Sequence, residues 1–239
     1  PSIGRLPAGA GLFYNPPDPT IRGRDPMNKM ATDLMPPSQP TRNRRLDPKK
    51  TAVLVIDTQM SEITDEQARK RPEYVQAIRA RVLPAMRRMI DETRARGGEI
   101  VYTRIECLTG DGRDACLDYK LSDMIIPKGS PLAEIMPEVA PAKDDIVLPK
   151  SSSGVFNSTI VDYVLRNMGI ENVIVVGLLT DQCVDMAIRD GADRGYYMIC
   201  AADACGAHTQ ERHMGALRAF AGYCRVQSVD EVVGTFATA

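Results

Sequence analysis

The chain has 239 residues, 44% of them hydrophobic, enough for one α/β domain with a substantial core and some excess. Thirty basic residues against 31 acidic ones leave a formal charge of −1, aromatics make up 5%, and tryptophan is absent. This excludes the basic field and the stacking surface of a nucleic-acid binder, and the apolar runs are far too short to cross a bilayer.

Residues 1–49 hold ten of the seventeen prolines, including Pro16-Pro17, Pro36-Pro37 and Pro40. Such a stretch sustains neither a helix nor a central strand, so it reads as an extended arm that Leu12-Phe13-Tyr14 could anchor to a surface, with a floppy leader as the alternative. Pro and Gly also interrupt any apolar signal-peptide segment there. From Lys50 onward the pattern changes to one domain, 50–239, of alternating strands and helices.

Thr51–Ile56, "TAVLVI", is a β-branched run expected in a strand covered on both faces. Glu73–Arg96 carries Val75, Ile78, Val82, Met86, Met89 and Ile90 at helical spacing and stops at Gly97-Gly98. Ile100–Thr103 is a second strand. Residues 105–144 read as an irregular insertion suited to a substrate-covering loop. Asp145–Leu148 is a third strand and Asn157–Met168 a helix ended by Gly169. Asn172–Val176 is a fourth strand, followed by a helix over Gln182–Arg194. Tyr196–Ala201, a helix over Gln210–Ala221 and a short strand over Cys224–Gln227 complete the order. This alternation predicts an α/β fold with a doubly wound, mainly parallel six-stranded sheet and helices on both faces.

Such sheets bind ligands outside the carboxyl ends of their strands. Three reactive side chains fall there: Asp57 after "TAVLVI", Lys150 after "DIVLP" and Cys183 past "NVIVV". A helix N-terminus and a nearby ammonium both stabilise a thiolate. A carboxylate accepts the thiol proton and returns it to a leaving group. Backbone N–H groups of the Leu179–Cys183 turn are placed to hold an oxyanion. The six cysteines, Cys107, Cys116, Cys183, Cys200, Cys205 and Cys224, contain no CxxC pair and no zinc spacing, and point to reduced thiols in a cytoplasmic protein.

The stretches "AVLVIDTQ", "VLPKSSSGVFNSTIVDYVLRNMGIENVIVVGLLTDQCVDMAIRDGADRGY" and "ADACGAHTQERHMGALRAF" together resemble the isochorismatase-like cysteine hydrolase family over about residues 50–235. The resemblance implies a triad of Asp57, Lys150 and Cys183. It also implies a cis peptide at Leu178–Leu179 that aims the Leu179 and Cys183 amides into an oxyanion hole. It implies a homo-oligomer, dimer or tetramer. Members that hydrolyse a vinyl ether lack the cysteine, so Cys183 favours C–N bond hydrolysis of a small amide or ureide, with ammonia released. The segments around Cys183 and Gln210 are most similar to amidohydrolases acting on biuret, triuret, ureidoacrylate or N-carbamoyl amino acids.

Nicotinamidases of the family bind a metal through an Asp and several His. Here the only histidines, His208 and His213, lie far from Asp57 in sequence, so neither a metal nor another cofactor is expected. Where the family often has Asn-Asp-Phe, this chain has Met60-Ser61-Glu62, which removes an aromatic wall. Gln59, Arg104, Glu106, Asn157 and Gln182 are the candidate substrate-binding groups, Arg104 by bidentate pairing with a substrate carboxylate. Two rival readings are a non-covalent vinyl-ether hydrolase and a thiol sensor without catalytic activity.

Overall fold

Thr51–Ile56 forms β1, and all six of its residues are buried. A strand with no wet face needs layers on both sides, and the rest of the chain supplies them. The structure, a computed structural model, describes residues 43–237. Most of the Pro-rich stretch, including Leu12-Phe13-Tyr14, lies outside them. Residues 43–49, read as the end of that arm, instead dock on the domain. Leu46 is fully buried, bridges to Phe236, and is followed by an Asp47-capped turn over Pro48–Lys50.

After β1 come α1 (Asp65–Lys70), α2 (Pro72–Ala77), a π-helical segment (Ile78–Val82) and α3 (Leu83–Ala95). Periodicity over 73–96 predicts one regular helix, and the structure differs at its middle. Pro84 has no N–H to offer the carbonyl four residues back, and its ring crowds that carbonyl, which accounts for the wider winding just ahead of it. Strand β2 (Glu99–Ile105) follows, then the insertion with α4 (Leu117–Leu121), then β3 (Ile146–Lys150). The insertion has a small core of its own, made by Ile105, Cys107, Ala115, Tyr119, Ile126 and Ala133.

The helix expected over 157–168 is two, α5 (Val155–Ser158) and α6 (Val161–Asn167). Thr159 divides them. Its backbone is extended, its hydroxyl donates to Val155 O at 2.8 Å, and the same oxygen accepts from Val161 N at 3.0 Å. A side chain that bonds its own backbone ends one helix and starts the next. Then come β4 (Asn172–Leu178), a π-helical turn (Thr180–Val184), α7 (Asp185–Asp193), β5 (Tyr197–Gly206), α8 (Gln210–Phe220) and β6 (Arg225–Gln227). The last helix, α9 (Val229–Thr235), was not expected, although Ser228 and Glu231 spell its capping box.

The six strands are all parallel, in the order β3-β2-β1-β4-β5-β6. One face packs Leu54, Ile56 and Val173 under Val155, Leu165, Ile188 and Leu217. The other packs Val53, Val55 and Ile174 under Val75, Met86, Ile90 and Val232. From β1 the chain winds outward one way and from β4 the other, which opens a crevice at the carboxyl ends of these two central strands. No described helix is long and apolar enough to cross a membrane.

Candidate active site

The crevice is shaped by a glycine. Gly177 has φ 125°, and a Cβ built on it would lie 2.1 Å from the carbonyl oxygen of Ile56. Only glycine lets β4 run this close to β1, one residue short of Asp57. Between Val175 and Gly177 the β4–β5 register shifts, and the following peptide bond, Leu178–Leu179, is cis. The chain then enters the π-helical turn, in which Leu179 O accepts from Gln182 N and Val184 N. Cys183 is therefore the fourth residue of that turn, two residues deeper than a helix opening at Gln182 would put it.

Asp57 leaves β1 in the left-handed region, φ 46°, which side-chain-bearing residues adopt rarely and Asp more readily than most. Its amide donates to Thr103 O at 3.1 Å, and its Oδ1 accepts from the Thr103 hydroxyl at 2.9 Å. Lys150 ends β3 and reaches across the end of β2. Its Nζ lies 2.8 Å from Asp57 Oδ2 and 3.4 Å from Cys183 Sγ, and donates to Ser152 O at 2.9 Å. A carboxylate, an ammonium and a thiol from three strand ends thus meet in one buried cluster.

Their charges are unequal partners. Burial works against the Lys150 ammonium, but Asp57, then Cys183 and Tyr119, hold its pKa above the usual lysine range. Burial and the Asp57 carboxylate push the Cys183 thiol up to about 12, while Lys150 pulls it down. The ion pair has already used the one ammonium, so the resting sulfur is a neutral thiol.

The tentative substrate groups fare differently. Gln59 is fully buried and both ends of its amide are taken: Nε2 donates to Ile105 O and Leu132 O, and Oε1 accepts from Ile105 N. It fastens the insertion to β2 and has no atom left for a substrate. Arg104 also has a partner within the protein. Thr103 meets Asp57, so the next side chain along the strand points to the opposite face. There Arg104 pairs with Glu106 at 2.6 Å, and Glu106 also accepts from Gly129 N at 2.8 Å. Both brace the loop at Gly129. Gln182 is exposed beside Cys183. Asn157 is exposed, bonds Asp190 at 3.1 Å, and lines a cleft of about 280 Å³ with Cys116, Asp118, Ser152, Ser153 and Met186.

Several site residues escaped the sequence reading. Thr103 orients Asp57, and only its place near the end of a central strand signals it. The Tyr119 hydroxyl, 3.3 Å from Ser153 Oγ, comes from within the insertion, where no periodicity marks it. Glu62, standing where the family often has an aromatic, accepts from Tyr74 OH at 2.6 Å. Burial pushes its pKa up, and the charge of Asp57 adds to this. His208 lies two residues before α8 and His213 in its first turn. Burial holds both near 4, and among the described residues no group of three or more His, Cys, Asp or Glu is arranged to hold a metal ion.

The family profile described as the isochorismatase domain matches residues 51–231. The chain belongs to the isochorismatase family. Among its relatives, the uncharacterized isochorismatase family protein YwoC of Bacillus subtilis is 28% identical over 178 residues, 72% of this chain and 86% of that protein. The ureidoacrylate amidohydrolase RutB of Pseudomonas syringae pv. syringae is 34% identical over 122 residues, and the match spans 49% of each chain. Among solved structures, a cysteine hydrolase from Pseudomonas syringae pv. phaseolicola 1448A superposes with a TM-score of 0.72 at 26% identity, covering 83% of this chain and 97% of the other. The N-carbamoylsarcosine amidase of Thermoplasma acidophilum gives 0.63 at 26% identity, covering 76% and 97%. Relatives of this isochorismatase-family hydrolase with named activities therefore include proteins that act on ureide and carbamoyl compounds.

Proposed function

We propose that this protein is a cysteine amidohydrolase that cleaves a C–N bond of a small ureide or other carbamoyl compound. One observation carries the reading: the buried cluster in which Lys150 Nζ lies 2.8 Å from the Asp57 carboxylate and 3.4 Å from the Cys183 thiol. The relatives' activities support the bond type.

The neutral thiol makes Asp57 the base. As Sγ attacks the carbonyl carbon, its proton passes to Asp57, and Lys150 stays charged beside both. The carbonyl oxygen takes the negative charge in a hole formed by the Leu179 and Cys183 N–H groups. Collapse breaks the C–N bond, Asp57 returns the proton to the leaving nitrogen, and ammonia or an amine departs. An acyl or carbamoyl thioester remains. Water, deprotonated by Asp57, attacks it, and the thiol is restored with release of the acid. A carbamic acid formed in this way decays to carbon dioxide and ammonia. Gln182, exposed next to Cys183, and Asn157, which lines the cleft, are the groups we assign to substrate contact.

The test is an ammonia-release screen over biuret, triuret, ureidoacrylate, N-carbamoyl amino acids and simple amides, with Cys183→Ser alongside and intermediates trapped for mass spectrometry. A carbamoyl or acyl adduct on Cys183, and loss of turnover in the variant, are expected. Full turnover by Cys183→Ser, or pyruvate release from a vinyl ether with no ammonia from any amide, would overturn the proposal.

A further inference from the structure

The turn that carries Cys183 is held from behind by α8. Thr180 lies between the cis Leu178–Leu179 bond and Cys183 and is fully buried. Its hydroxyl oxygen is 2.8 Å from Nδ1 of His213, which is itself buried. The neighbouring pair repeats the tie, because Asp181 forms an ion pair with Arg212. Two consecutive residues of the turn thus meet two consecutive residues of one helix. The helix is anchored in turn by the Thr209 hydroxyl, which accepts from Arg212 N, and by Thr209 O, which accepts from His213 N. His213 also borders a small cavity lined in part by Tyr74, Arg81 and His208.

We infer that His213 is a positioning residue for the reaction proposed above: through Thr180 it sets the turn on which both the thiol and the oxyanion-hole amides stand. The inference rests on that reading. Leu179 precedes Thr180 and Cys183 follows it by three, so a shift of Thr180 moves both halves of the machinery together. A displacement of about 1 Å in such a site costs on the order of a hundredfold in rate. Burial lowers the His213 pKa to about 4, with Asp181 raising it and Arg81 lowering it, so the ring meets the Thr180 hydroxyl as an uncharged partner at neutral pH. A neutral ring also puts no second cation behind a thiol that already faces Lys150.

The rival is plain packing, since Met214, Leu217 and Phe220 of the same helix are core residues. Nitrogen placement separates the two. An asparagine amide falls where Nδ1 of histidine lies, and a glutamine amide falls where Nε2 lies, although glutamine fills the space better. Steady-state kinetics and thermal melts are to be measured for wild type, His213→Asn, His213→Gln, Thr180→Val and the double variant Thr180→Val/His213→Gln. His213→Gln and Thr180→Val are each expected to lower kcat about 10- to 100-fold with KM within about twofold, and the double variant to fall no further than the worse single one. His213→Asn is expected to keep kcat within about threefold. Equal losses for Asn and Gln, losses that multiply in the double variant, or a change confined to KM would overturn the inference. Failure of the function itself appears separately, as a wild type that releases no ammonia from any compound in the screen. The rate of Cys183 alkylation by iodoacetamide then serves as the readout: a change in His213→Gln but not in His213→Asn supports the positioning role, and equal rates refute it.

Discussion

Replacing Asp57 by asparagine separates two roles of the carboxylate, proton carrier and negative charge. Asparagine keeps the shape and still accepts from the Thr103 hydroxyl, now 2.9 Å away. It removes the anion that, after burial, does most to hold the thiol at about 12. It leaves Lys150, 3.4 Å from the sulfur, with no carboxylate to neutralise it. With a pKa of about 12, roughly three thiols in 10⁵ are ionised at pH 7.5, and each unit of fall raises that fraction about tenfold. The thiolate's intrinsic nucleophilicity falls by a factor of about 2.5–3 per unit, so the net gain is about three- to fourfold per unit. Alkylation of Cys183 is therefore expected to speed up about three- to fourfold for each unit by which the thiol pKa falls, while turnover is lost because no base remains. The assay is the pseudo-first-order rate of iodoacetamide labelling at Cys183, read by peptide mass spectrometry to separate it from the other cysteines. An unchanged or slower rate in Asp57→Asn would refute the electrostatic account, whatever happened to turnover.

Three further outcomes follow from the same geometry. Lys150→Met leaves the Asp57 carboxylate buried without its counter-charge, so it is expected to lose turnover and about 3–5 kcal/mol of stability, seen as a melting temperature lower by roughly 6–20 °C. Gly177→Ala drives a methyl into Ile56 O at a backbone angle that alanine avoids, and is expected to destabilise by more than about 1 kcal/mol in urea unfolding and to abolish turnover; a variant with wild-type activity would show that the β1–β4 approach is not essential. The Cys183 pKa is raised in the folded state, so its contribution to stability is fully present below the unfolded thiol value and is lost as pH rises towards about 12. Between pH 9 and 11 wild type is expected to lose about 1.4 kcal/mol per pH unit more than Cys183→Ala does, and parallel stability curves would contradict the raised pKa.

Strand and helix identity were largely legible in the chain because a buried parallel strand demands an uninterrupted apolar run and an amphipathic helix a 3.6-residue period. "TAVLVI" and "NVIVV" became β1 and β4, the two strands that flank the crevice. Asp57, Lys150 and Cys183 were legible as strand-end residues for the same reason. Local interruptions were less visible. Pro84 widens a helix that its neighbours would keep regular, and Thr159 splits another by bonding its own backbone; both effects turn on a single hydrogen bond that periodicity does not record.

Sequence by itself determined the six strands, their order and which side chains stand just past three of their ends, since these depend on local hydrophobic period and on turn chemistry. The tertiary structure decided which groups share a charge and which face a residue takes. Strand pairing put Lys150 across the end of β2 onto Asp57, so its ammonium faces a carboxylate as well as the thiol. The alternation of side chains along β2 turned Thr103 toward Asp57 and Arg104 away to Glu106, although the two are adjacent in the chain. Electrostatic energy depends on distance and burial, and neither exists until strands remote in sequence are set side by side.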